Sequence, residues 1–318
     1  VRLGADRARV RVPATSANLG PGFDALGLAL ALHDDVEVRA LGSAEVVVDV
    51  EGEGAGEVPS GEDHLVVRAL RRALDHVGAP QTGLHLTCRN RVPHGRGLGS
   101  SAAAVVAGLL AARALVAEPE ALDDDVVLRL ATELEGHPDN AAPALLGGAT
   151  VAWSDPGAGA VHAARLPVHP DVRPVVLVPG ARLATSRARG VLPAQVPHGD
   201  AAFQAGRAAL LVEALGRRPD LLLPATEDRL HQGYRRPVMA ESLALVDALR
   251  ARGVAAVVSG AGPTVLVLAR AADQQVDPAT GGTDADAPLE QVLDGVRGGW
   301  QVVRPGVDAG GATWRRLP

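Results

Sequence analysis

The chain contains no lysine: all 31 of its lysine-or-arginine positions are arginine. That excludes the phosphate loop in which a lysine reaches the terminal phosphates, and it excludes a lysine Schiff base. Any nucleotide chemistry must use backbone amides, hydroxyls, arginines and a metal. A single cysteine, Cys88, allows no disulfide within the chain and no cysteine-based zinc site. Aromatic residues make up 2% of the sequence, so alanine, valine and leucine must fill the interior. Long apolar runs are missing too, since the most apolar stretch, near 102–117, is short and carries Arg113. Residues Val1 to Asp6 hold no apolar signal core, and a cytoplasmic location without a membrane partner is expected. With a formal net charge of −6 and arginines scattered among acids, no basic field exists for nucleic acid.

What is present describes a folded protein. A length of 318 residues suits about two domains. Hydrophobic content of 47% and charged content of 21% are those of a globular chain. Alternation predicts strands at Arg9–Val12, Leu26–Leu32, Val36–Arg39 and Val46–Val50, with Ala14 to Asp24 as an irregular loop rich in turn formers. Helices are expected near 63–77, 101–117 and 123–134, with strands at Leu84–Cys88, Ala149–Trp153 and 160–166. Beyond a boundary at 167/168, a second α+β unit is expected over 168–318. Its pattern is a strand at Val175–Val178, helices near 200–216 and 239–252, and strands at Val254–Val258 and Thr264–Leu268. A polar insert follows at 273–288, then a helix from Pro288 to Val296 and a strand from Trp300 to Val303.

The most informative stretch runs from Pro93 through His94, Gly95, Arg96, Gly97, Leu98, Gly99, Ser100, Ser101 and Ala102 to Ala103. Three glycines at alternate positions let the backbone turn its N–H groups toward one point, and the following helix adds the positive end of its dipole. Such a place binds phosphate. One of Ser100 and Ser101 is expected to cap the helix, and the other to offer its hydroxyl to a metal or a phosphate oxygen. A second constellation, Glu133 to Asn140, crowds acids, an imidazole and an amide into a turn. Either Asp139 caps the next helix, or Glu133 or Glu135 holds a metal while Asp139 and Asn140 serve a substrate hydroxyl.

The strings PATSANLGPGFDALG, PHGRGLGSSAAA, EGHPDNAAPALLGG and SGAGPT occur in that order. Together they resemble the GHMP family of small-molecule kinases from Val12 to Val303, and the first and third point to its homoserine branch. The resemblance implies an α+β fold of two domains: one like domain 2 of ribosomal protein S5, with an uncommon left-handed β-α-β crossover, over 1–167, and a ferredoxin-like one over 168–318. It implies ATP and Mg²⁺ as cofactors and L-homoserine as substrate, phosphorylated on its hydroxyl on the route to threonine. In that family the loop at 93–103 wraps the triphosphate, with Ser101 and Glu135 at the metal. Asp24 would take the substrate ammonium, Arg189 and Arg235 its carboxylate, and Asn18 with Asn140 its hydroxyl, while Thr185, His137 and Asp139 line the pocket. Because no lysine keeps Asp139 poised as a base, direct attack by a hydroxyl oriented through Asn18 and Asn140 is favoured, with Asp139 a structural or weak-base catalytic candidate. Alternatives are another GHMP kinase, for mevalonate, a sugar or a shikimate-like alcohol, and a non-catalytic sensor of amino acid or nucleotide. Such kinases often pair, so a homodimer is expected.

Overall fold

A computed structural model describes residues 1–155, 159–270, 287–296 and 299–318. The expected polar insert lies outside the described residues, apart from 287–288 at the start of a helix.

Alternating apolar side chains build the first sheet. Strands β1 (Arg7–Ala17) and β2 (Leu26–Leu41) pair antiparallel. They bury Val10, Val12, Val36 and Val38, while Arg7 and Arg9 on β1 pair with Glu37 on β2. The strands expected at 26–32 and 36–39 are therefore one continuous strand. A register shift at Pro13/Ala14 sets the pairing beyond it, where Ala14–Ala17 meet Gly27–Leu30. This corrects the expected loop, which begins at Asn18 and not at Ala14, because Ala14 to Ala17 are small enough to sit buried in the sheet.

Strands β3 (Val46–Gly52) and β4 (Gly83–Asn90) pair parallel, so the intervening helix α1 (Leu65–His76) forms the crossover of a β-α-β unit. Helix α2 (Ser100–Leu115) is apolar nearly all round and correspondingly buried nearly all round. It packs against β1, α1, α3 (Asp124–Glu135) and α4 (Ala141–Leu146). At Gly108 a side chain would meet the Val66 carbonyl at 2.3 Å, so glycine allows the close approach of α1 and α2. Strands β5 (Ala149–Ser154) and β6 (Val161–Leu166) complete this unit's own strands.

The second unit carries β7 (Val172–Pro179), α5 (Thr185–Gly190), α6 (His198–Gly216), α7 (Leu222–Ala225), α8 (Ala240–Arg250), β8 (Ala256–Val258), β9 (Val265–Arg270), α9 (Ala287–Val296) and β10 (Trp300–Val303). Its four-stranded sheet runs β10-β7-β9-β8. The chain then returns to the first unit. Strand β11 (Thr313–Arg316), for which no strand was expected, pairs with β1 at the edge of the seven-stranded sheet. The last residues of the expected 168–318 unit therefore add to the first sheet, while the expected strand at Trp300–Val303 stays in the second. One core cluster joins Leu19, Leu26 and Leu28 of the first unit to Val176, Leu211 and Leu266 of the second, so apolar burial fixes the units against each other. Among the described residues no helix is long and apolar enough to cross a membrane.

Candidate active site

The glycine loop between β4 and α2 is held from both units. Thr15 N–H donates to the Leu98 carbonyl at 3.0 Å, and Thr264 N–H donates to Arg96 O at 3.2 Å. The Ser259 hydroxyl donates to Gly97 O at 2.6 Å. Gly95, Gly97 and Gly99 have φ of +64°, +77° and +70°. A side chain at 97 would strike Ser259 O at 2.3 Å, and one at 99 would strike Thr15 Oγ1 at 2.0 Å. Backbone angle and close packing therefore both require glycine there. Gly99 takes the position before α2 in the left-handed conformation, and no side chain caps the helix. This overturns the expected serine cap: both serines already lie in the first turn. The first-turn N–H groups are left for an anion.

Ser101 donates its hydroxyl to Glu135 Oε1 at 2.6 Å. Burial pushes the Glu135 carboxyl above its ordinary range, against the hydrogen bond from Ser101. Glu133, the other candidate, faces away and pairs with Arg72 and Arg129 at 2.8 and 2.7 Å. Asp139 caps no helix. Asn140 holds the N-cap position of α4 without a side-chain bond, and Asp139 instead accepts from His137 Nδ1 at 2.8 Å. That bond holds the imidazole pKa above its usual value. Asn140 Oδ1 accepts from Thr15 Oγ1 at 2.9 Å, leaving the amide protons for a ligand.

These groups surround a cavity of about 290 Å³ between the units. Gly95, Gly97, Gly99, Ser100, Ser101 and Ala102 form one wall; Glu135, His137, Asp139 and Asn140 form another. Asn18, Thr185, Arg189 and Arg235 line the remainder with Gly260 and Ala261. Arg187 is exposed, and Arg236 pairs with Asp247 at the surface. Asp24 does not line the cavity itself but grips Arg189 through both oxygens, at 2.6 and 3.0 Å. Asn18 and Asp24 both have positive φ, +70° and +56°, an uncommon conformation in side-chain-bearing residues that persists where neighbours over-determine it. Here Asn18 Oδ1 accepts from Asp24 N–H, and its Nδ2 donates to Gly260 O at 2.9 Å.

Arg235 is 1% exposed. Its Nη1 donates to Gly260 O at 2.9 Å, and its Nε has no partner among the described residues. Burial pulls its pKa down to about 10. A buried guanidinium with a free donor beside a cavity calls for an anion. Phe23, passed over in the sequence, lies under the guanidiniums of both Arg189 and Arg235, 5.5 and 5.8 Å from its ring centre. Thr15 was passed over as well. Both lie in the quoted string from Pro13 to Gly27, and a lone aromatic in a Gly/Pro loop was the available signal.

Other residues of the expected cofactor loop stand differently. Pro93 and Leu98 are buried in the fold. Arg96 gives its guanidinium to the carbonyls of Pro179 and Gly180, at 2.9 and 3.2 Å, and so ties the loop to the second unit. His94 and Ala103 line a second, more apolar cavity of about 270 Å³ with Val58, His64 and Val66. Ser100 and Ser101 border both cavities, so the loop lies between an apolar chamber and a polar one.

Residues 64–148 match the family described as GHMP kinases N terminal domain, and 201–278 match GHMP kinases C terminal. The chain belongs to the GHMP kinases. The homoserine kinase of Streptomyces coelicolor is 56% identical over 306 residues, 96% of this chain and 93% of that protein. That of Leifsonia xyli subsp. xyli is 47% identical over 317 residues, 100% and 94% of the two chains. The crystal structure of homoserine kinase from Cytophaga hutchinsonii superposes with a TM-score of 0.79 at 26% identity, covering 98% of each chain. The two sheets are thus the two-domain α+β architecture of this family, whose phosphate donor is ATP.

Proposed function

We propose that the chain transfers the γ-phosphoryl group of ATP to the hydroxyl of L-homoserine, giving ADP and O-phospho-L-homoserine on the route to threonine. One observation carries the choice of substrate: buried Arg235, with its unpartnered Nε, stands in the same cavity wall as Arg189, which forks onto Asp24. Two cations and an acid match a zwitterion: Arg235 and Arg189 take the carboxylate, and Asp24, which lies behind Arg189 outside the cavity lining, takes the ammonium once the substrate draws the Arg189 fork away. Mevalonate and neutral sugars have no ammonium for Asp24 to hold.

The triphosphate lies on the N–H groups from Gly95 to Ser101, and the base occupies the apolar chamber. Asn18 retains one amide proton and one lone pair, and Asn140 its amide protons, to orient the substrate hydroxyl. The hydroxyl oxygen bonds to the γ-phosphorus as the bond to the β–γ bridging oxygen breaks. The electron pair leaves with ADP. The transition state is loose, so positioning and charge neutralisation matter more than a strong base. The hydroxyl proton passes to a phosphoryl oxygen as the new bond forms. Asp139, held by His137 and lining the pocket, acts chiefly to set that wall.

The Ser101 hydroxyl and the half-buried Glu135 carboxylate suit Mg²⁺, a hard cation that takes few protein ligands when phosphates supply the rest. Bound there, the ion neutralises charge on the terminal phosphates. The enzyme works in the cytoplasm, where its ATP is, and its expected homodimer is checked by light scattering. ADP release from ATP and Mg²⁺ across homoserine, mevalonate, galactose and shikimate tests the assignment. Homoserine alone responds strongly; equal response to a neutral sugar would refute it.

A further inference from the structure

The glycine loop's own arginine is spent on the carbonyls of Pro179 and Gly180. Past Gly180 the chain turns back on the loop, and Leu183 N–H donates to Gly95 O at 3.0 Å. The stem of Arg182 lies along Gly95: a methyl group placed there would sit 3.6 Å from Arg182 Cβ and 3.8 Å from its Cγ and Cδ. Leu183 and Thr185, which follow, line the polar cavity. The Arg182 guanidinium makes one polar contact among the described residues, from Nη1 to Glu57 Oε2 at 2.5 Å. Both side chains are about half exposed, at 48% and 53%. Glu57 sits on a turn packed against the loop, since a side chain at Gly54 on the same turn would meet the His94 ring at 2.5 Å.

We propose that Arg182 is an exchangeable cation, which leaves Glu57 for the β- and γ-phosphate oxygens when ATP enters the glycine loop. The inference rests on the kinase reading above. An exposed ion pair contributes little, so breaking it costs little. A triphosphate offers more negative charge than one carboxylate and accepts the same planar fork. The stem packed on Gly95 keeps the guanidinium beside the loop throughout. Glu57 is then a placeholder that aims the cation and competes with the nucleotide for it. In a chain without lysine, this supplies the side-chain positive charge that the terminal phosphates need as charge shifts toward ADP.

Turnover of ATP with homoserine by the wild-type enzyme is measured first, and its absence would remove both the kinase reading and this one. With turnover present, R182A, R182K and E57Q are compared by titration calorimetry with ATP and with AMP, and by steady-state kinetics. R182A should weaken ATP binding about 10–100-fold, the span of a charge-assisted contact, with AMP affinity and the KM for homoserine unchanged. R182K should recover part of the loss. E57Q should tighten ATP binding, because the competing carboxylate is gone. If E57Q instead weakens ATP binding as R182A does, the pair is a structural clasp and the proposal is wrong. Equal loss of ATP and AMP affinity in R182A, or no loss of either, overturns it too.

Discussion

At the scale of single residues, the charges that the cavity gathers cost stability and serve binding. Arg235 shows this most plainly, being buried with an unpartnered Nε. Arg235→Met should raise the stability of the unliganded protein, by about 1–4 kcal/mol as when other buried charges are replaced by packed apolar groups. The same change should raise the KM for homoserine on the order of 10²–10³-fold, the loss expected when a buried ion pair is broken, and spare that for ATP. Thermal melting and steady-state kinetics on one sample separate the two effects; a variant that melts lower and loses both substrates would make Arg235 structural. Asp139 and Glu135 present a second contrast. Asp139 is braced by His137, whereas Glu135 is a half-buried carboxylate beside Ser101. Asp139→Asn should therefore lose less kcat than Glu135→Ala, and the reverse order in turnover assays would make Asp139 an essential base.

At the scale of elements, glycine at a helix start is a steric requirement whose strength the neighbours set. Gly99→Ala places a methyl group 2.0 Å from Thr15 Oγ1 at a φ of +70°. It should abolish ATP binding and cost more than the ~1–2 kcal/mol of the left-handed backbone alone. Gly61→Ala, with nothing within 4 Å and no positive φ, should change the urea midpoint little. Equal midpoints for the two variants would contradict the packing. Much of this was legible in the sequence: alternate glycines before an alanine-rich run announced the loop, and apolar pattern placed α1 and α3, as alanine content placed α2, within two residues of their ends. Three features were not legible. The serine cap failed because Gly99 reached the cap position first, a matter of backbone angle that residue type does not report. Ala14 to Ala17 read as loop because turn-forming residues follow closely, yet pairing with Gly27–Leu30 made them strand. The Asp24–Arg189 fork joins residues 165 apart, a distance that local pattern cannot span.

At the scale of the whole molecule, the returning tail ties the end of the chain to the helix that opens the site. Arg316 donates to the carbonyls of Ala114 and Val116, at 2.9 and 2.7 Å, at the far end of α2 from the phosphate loop. Arg316→Ala should lower stability by about 1.5–3 kcal/mol, the worth of hydrogen bonds to a charged donor, with KM values little changed; equilibrium urea unfolding and kinetics check both. Acid acts on the molecule as a whole through its buried histidines. Burial, with some repulsion from His94, pulls the pKa of His64 below its ordinary 6.5. Above that pH the ring is neutral in both folded and unfolded chains and adds nothing to the pH dependence. As pH falls below 6.5, the unfolded chain takes a proton that the folded chain refuses, so stability drops until the lower folded pKa is reached. His137, whose pKa Asp139 raises, works in the opposite direction and above 6.5, where the folded chain keeps a proton that the unfolded chain has released. The test is therefore a difference: His64→Asn should gain stability relative to wild type as pH goes from about 7.5 to about 5.5, on either side of the unfolded histidine pKa. Nucleotide-free urea unfolding at both pH values measures it, and a gap that stays constant with pH would mean that His64 is solvated in the folded protein.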